Sequence, residues 1–176
     1  MCVAALLQII IKNEFNRDIN QQIIADFFGI NLPIDQKDNS NLVTSNMEYV
    51  EDDNKLGIII KDNSINQFFQ EYKIPMIEDY LPIYEIDDMV YETQLNQLAS
   101  EDVYVICGYD YDFLHHREAT GVGHVSIITD YNPQTNIVTI YDPGPKNPGY
   151  KSVIDYDLYR SIKIKKDGFW IIKRKK

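Results

Sequence analysis

Apolar residues near the amino end recur at helical spacing. Ala5, Leu6, Ile9, Ile10 and Phe15 lie one, three and four residues apart, which predicts a helix over residues 2–14. Asn13 and Asn16-Arg17-Asp18 break the pattern. Asn20 is placed to cap a second helix over residues 21–28, and Gly29 to close it. Residues 30–63 are rich in Asn and Asp with few consecutive apolar positions, so a long loop is expected there, with a short strand at 57–60. Ser64 is expected to cap a third helix that aligns Ile65, Phe68, Phe69 and Tyr72 on one face. A fourth helix is expected over residues 91–99, capped by Asp87 or Asp88, and a short one over 156–162.

Period-two and continuous apolar runs dominate the rest. Ile74-Pro75-Met76 and residues 80–84 read as short extended pieces. The unbroken Val103-Tyr104-Val105-Ile106-Cys107 run predicts a strand over 102–108 that is buried on both faces. A polar loop at 109–122 follows, expected to border the functional cleft as a flap. Val125, Ile127 and Tyr131 then alternate along one strand and residues 137–141 form another, with the turn sequence Asn132-Pro133-Gln134-Thr135-Asn136 between them. A last strand is expected at 168–173. Helices first and antiparallel strands later make an α+β layout, and 176 residues suit a single domain.

Composition narrows the classes. The chain is 44% hydrophobic and 25% charged, as globular chains are. Its net charge of -10 argues against a nucleic-acid partner. The terminal Lys173-Arg174-Lys175-Lys176 reads as a solvated tail. No apolar run approaches the ~20 residues of a membrane span, and residues 3–11 lack the flanks of a signal peptide. Two cysteines are too few for a disulfide framework or a zinc site, so a reducing cytoplasm is the expected location. Neither metal nor cofactor is expected.

The chemistry starts in the hairpin. His124 opens its first strand behind Gly123, and Asp142 ends its second ahead of Pro143. A short antiparallel connection brings the start of one strand beside the end of the next, so an imidazole and a carboxylate meet at one end. A carboxylate there fixes the tautomer and orientation that a general base needs. The plainer alternative is a surface histidine near a turn aspartate. Asn132 is the other residue that could orient His124, but it belongs to the turn at the far end. His115-His116, with Asp110, Asp112 and Glu118, lack a recurring ligand spacing and read as loop. Cys2 stands at the amino end of the first helix, where dipole and free N–H groups favour a thiolate. Cys107 lies within an apolar strand, where a thiol behaves as a small hydrophobe. A helix-starting cysteine with a distant histidine and carboxylate is the layout of a papain-type nucleophile and base.

The chain resembles the leader-peptidase-like branch of the papain-like cysteine peptidases, which includes the double-glycine peptidases of bacteriocin precursors. The resemblance rests on Cys2-Val3-Ala4-Ala5-Leu6, on Ile19-Asn20-Gln21-Gln22-Ile23-Ile24-Ala25 with Gly29, on Gly123-His124-Val125, on Asp142-Pro143 and on the closing Gly168-Phe169-Trp170-Ile171-Ile172. It implies N-terminal helices packed on a C-terminal antiparallel sheet, a peptide or protein substrate, and a triad of Cys2 as nucleophile, His124 as base and Asp142 as orienting carboxylate. Two departures accompany it. Family members carry a glutamine several residues before the cysteine, a place this sequence, starting at Met1, does not contain, and Val3-Ala4 replaces the usual Gly-Pro. One oxyanion donor is worth about a hundredfold in rate, so a silent peptide-binding domain of the same fold is the first alternative. A thioester-dependent acyl or peptidyl transferase is the second. Removal of Met1 would offer a third route, with the α-amino group of Cys2 as the base.

Overall fold

In the computed structural model, residues 1–36, 45–52, 55–61, 63–87, 91–100, 102–144 and 148–175 are described. They fall into two compact units, Met1–Pro75 and Met76–Lys176.

The first unit is built on three helices. Helix α1 (Cys2–Phe15) buries Val3, Ala4, Leu6, Leu7, Ile10 and Ile11, the stripe that its apolar spacing requires. It ends on Asn16, a left-handed residue at φ 49° whose N–H donates to the carbonyl of Lys12. Helix α2 (Gln21–Phe28) starts where the sequence says it should: the Asn20 side chain accepts the N–H of Gln22. Gly29, at φ 84°, stops it. Gln8 of α1 ties the two helices by donating to Asp18 and accepting from Gln21. Helix α3 (Ser64–Glu71) buries Ile65, Phe68 and Phe69, and Phe27, Phe28, Phe68 and Tyr72 form a ring cluster with centroids 4.7–6.2 Å apart.

Two expectations fail here. Ser64 does not cap α3 but is its first residue, with its hydroxyl donating back to the carbonyl of Lys61. The long segment is also not all loop. Strands β1 (Ile30–Pro33) and β2 (Met47–Val50) pair in parallel, and Gly57 makes only an isolated bridge to Asn31 rather than opening a strand. Four-residue strands made partly of Asn, Glu and Pro carry too little period-two signal to be read.

The second unit is a six-stranded sheet, antiparallel throughout, in the order β3 (Met76–Pro82), β8 (Gly168–Arg174), β4 (Tyr104–Asp110), β5 (Gly123–Asn132), β6 (Ile137–Asp142), β7 (Gly149–Ile154). The fourth and sixth helices, α4 (Tyr91–Ser100) and α6 (Asp155–Lys165), pack against it. Asp88 lies outside the described residues, while Asp87 offers its carbonyl to the N–H of Tyr91. One face of the sheet carries Val105, Cys107, Tyr109, Ile128, Val138, Ile140 and Phe169 into a core with Leu95, Leu158 and Ile162. Asp155 and Asp157 in the first turn of α6, and Lys163 and Lys165 in the last, complement the helix dipole.

Strand β8 enters between β3 and β4, so Gly168 starts it against Pro82 of β3. A Cβ at position 168 would overlap the carbonyl oxygen of Leu81 and stand 2.8 Å from the Cα of Pro82. Both are backbone atoms of a paired strand and cannot step aside. Gly168→Ala is therefore expected to destabilise the protein by about 3 kcal/mol, at the upper end of overpacking costs. Urea unfolding reads this as a lowered midpoint, and an unchanged midpoint would contradict the packing described.

Candidate functional site

The chemistry gathers at one end of the core face of the sheet. Tyr109 pairs with His124, Cys107 with Ser126, and Ile127 with Tyr141. Continued outward, this register sets His124 one diagonal step from Asp142 on the same face, within reach of two polar side chains. His124 Nε2 and Asp142 Oδ1 lie 2.7 Å apart, with the two side chains only 10% and 2% exposed. The Asn132 side chain accepts the N–H groups of Gln134 and Thr135 at the opposite end of the hairpin.

Asp142 has partners besides the histidine. Oδ1 also accepts the backbone N–H of Gly144 at 2.7 Å, and Oδ2 is ion-paired with the ammonium of Lys151. Burial alone would raise this carboxyl. The hydrogen bonds from Lys151, His124 and Gly144 outweigh it, and the group is held below its ordinary value of 3.8. Asp142 is an anion throughout the neutral range.

The imidazole is walled by aromatic rings. Tyr109 and Tyr111 meet His124 edge-to-face, at centroid distances of 5.7 and 5.2 Å. Tyr109 is fully buried, with its hydroxyl 2.9 Å from Ser126 Oγ. Tyr111 begins a short helix, α5 (Tyr111–His116), where a plain loop was expected. Asp110 builds it: one carboxylate oxygen accepts the N–H of Phe113 as the cap, and the other accepts the N–H of Gly121. A signal was present in the sequence, an Asp three residues ahead of an apolar pair, with Asp112 in the first turn and two histidines in the last. Lys165 of α6 lies along Gly123, where a Cβ would stand 2.8 Å from its Cε, and donates to the carbonyl of Gly121. The glycine before His124 thus makes room for a neighbouring side chain.

Of the two thiols, Cys107 is fully buried, and burial pushes it up to about 12. Cys2 is half-buried and is the first residue of α1, in the other unit. The structure thus brings His124 and Asp142 together in one unit and sets Cys2 at the helix start that the sequence indicated. Lys151 escaped the sequence reading. Among the described residues no cluster of His, Cys, Asp and Glu has the makings of a metal site, and no helix is long and apolar enough to cross a membrane. His116 is engaged instead with Asp112, at 3.2 Å.

Among solved structures, the chain is similar to a putative C39-like peptidase from Bacillus anthracis, with a TM-score of 0.60, over 99% of this chain and 90% of that one. The chain shares that protein's fold. The two sequences are only 11% identical, so the likeness is one of architecture. It is a mixed α+β peptidase fold with N-terminal helices and a C-terminal antiparallel sheet. No protein-family model and no curated protein sequence matches the chain.

Proposed function

We propose that residues 1–176 act as one domain, a cysteine peptidase or related amide hydrolase on a peptide or protein substrate, with Cys2 as nucleophile, His124 as proton carrier and Asp142 as its orienting anion. No cofactor takes part. The observation that carries the reading is the buried hydrogen bond between His124 and Asp142, in a fold shared with a putative C39-like peptidase. A surface histidine near a turn would not be 10% exposed against a carboxylate held by three donors.

With Nε2 on Asp142, Nδ1 is the nitrogen that exchanges a proton with the thiol. The thiolate of Cys2 attacks the substrate carbonyl carbon. A C–S bond forms and the carbonyl π pair moves to oxygen. Collapse breaks the C–N bond, and the imidazolium proton leaves with the amine. The imidazole then takes a proton from water, and the hydroxide so generated displaces sulfur from the thioester. The acid departs, and the thiolate–imidazolium pair is restored. Two thiols outside any disulfide, one of them buried, suit a reducing compartment such as the cytoplasm.

The test is covalent. Incubated with an activated peptide ester and quenched in acid, the protein is expected to gain one acyl group on Cys2, removable by neutral hydroxylamine as thioesters are. Peptide bound without any adduct would contradict the proposal and leave a binding domain. Transfer of the acyl group to an added amine in preference to water would make the protein a transferase.

A further inference from the structure

Asp142 lies on β6 between two strands that each send it a cationic or proton-bearing partner across one diagonal. His124 comes from β5. Lys151 comes from β7, where the register pairs Ile140 with Lys151 and Asp142 with Gly149. Gly149, directly opposite the aspartate, has no side chain, so the lysine reaches the carboxylate from the neighbouring pair. Its side chain is 21% exposed, against 2% for Asp142. One buried carboxylate therefore serves an ammonium on Oδ2 and an imidazole on Oδ1.

We propose that Lys151 is a positioning residue that acts through Asp142: by sharing the charge of the carboxylate, it keeps the His124 imidazolium more acidic than an undivided His–Asp pair would be. This rests on the reading of His124 as the proton carrier. The sign follows from electrostatics. A carboxylate beside an imidazole stabilises the imidazolium, and a second cation on that carboxylate offsets part of the gain. A base is most effective when its affinity for protons lies near the working pH.

The groups that β4, α5 and α6 set near His124 do not supply the same effect. From β4, Tyr109 is a neutral phenol pushed up by burial, and Asp110 has both oxygens on backbone N–H groups. From α5, Tyr111 meets the ring edge-to-face, His115 packs against Tyr109 and Tyr111, and His116 is turned to Asp112. Burial, and next the charge of Lys151, hold His115 below its ordinary value, so it is neutral at working pH. From α6, Lys165 is bound to the Gly121 carbonyl alongside Gly123. Only Lys151 is both cationic and joined to the carboxylate that His124 uses, among the described residues.

The experiment is a histidine titration followed by NMR of 13C-labelled imidazoles, in a Cys2→Ala background so that the thiol does not contribute. Lys151→Met is expected to raise the His124 midpoint by about one pH unit. Lys151→Arg, which keeps the charge, should leave it in place. Lys151→Gln, which keeps a donor without the charge, should repeat the upward shift and covers the case in which the methionine variant does not fold. A midpoint that does not move in either neutral variant overturns the proposal. So does a downward shift, which would mean that the lysine merely props up the carboxylate and that His124 loses it. The titration reads the imidazole without turnover, so a failed peptidase assay and a failed Lys151 test are separate outcomes.

Discussion

Cys2→Ala should lower peptide turnover by on the order of 10⁴-fold or more and abolish thiol labelling at neutral pH, while Cys107→Ala changes neither. Loss of a nucleophile removes the covalent route and leaves only what binding and oriented donors supply. The contrast with Cys107 is physical. That thiol sits on β4 within the core, fully buried, with its S–H donating to the carbonyl of Ser126 and its acidity pushed to about 12. It is neither a thiolate nor reachable by a reagent. Replacing it with alanine removes one small buried atom and should cost about 1 kcal/mol. Labelling followed by peptide mass spectrometry separates the two thiols. Loss of reactivity in the Cys107 variant instead would overturn the assignment.

Asp142→Ala carries the second large effect, on both stability and rate. The carboxylate is 2% exposed and gathers His124, Lys151 and the Gly144 N–H. Removing one partner of such a buried cluster costs about 3 kcal/mol, at the low end of the usual range because Lys151 can turn toward solvent. The effect depends on pH with a definite sign. The folded-state carboxyl is depressed below its unfolded value, so its stabilisation is fully present above about pH 5. It is lost as pH falls through the ordinary carboxylate value of 3.8 toward the folded one. Urea unfolding of the wild type should weaken over that acid window, and the variant should show a flatter acid limb. Turnover should fall by on the order of 10²-fold or more, because His124 loses the anion that fixes its tautomer and stabilises its charged form. Equal acid sensitivity in the two proteins would contradict the assignment of Asp142 as an ionised, three-way acceptor.

The pairing of His124 with Asp142 was legible because it is local. A turn of known chemistry closes the hairpin, and antiparallel pairing brings the start of β5 beside the end of β6. The bulge between Ile128 and Asp130, which the sequence does not signal, then sets His124 on the same face as Asp142. The first two helices were legible for the same reason, with Asn20 and Gly29 marking the limits of α2. Lys151 was not legible. Its meeting with Asp142 depends on how β7 registers on β6, and the two Pro-Gly pairs between them mark a turn without fixing which residues pair across it. Strand β7 itself escaped notice, because Gly149-Tyr150-Lys151-Ser152-Val153-Ile154 is a half-exposed edge whose buried and exposed positions differ little in polarity. Helix α5 was hidden by its length: six residues give under two turns, too short for periodicity, and only the Asp110 cap reveals it. Cys2 is a different case. Its helix was read from local spacing, whereas a nucleophile's role concerns residues far apart in the chain, and only chemistry tests it.

The measurement closest to that claim is the pH dependence of iodoacetamide labelling at Cys2, in the wild type and in His124→Ala. A thiolate paired with an imidazolium is expected to label well below the free-thiol value of ~8.5, and the His124 variant should move the profile up toward it. If Cys2 labels as a free thiol in both proteins, no primed nucleophile exists and the cysteine-peptidase reading fails.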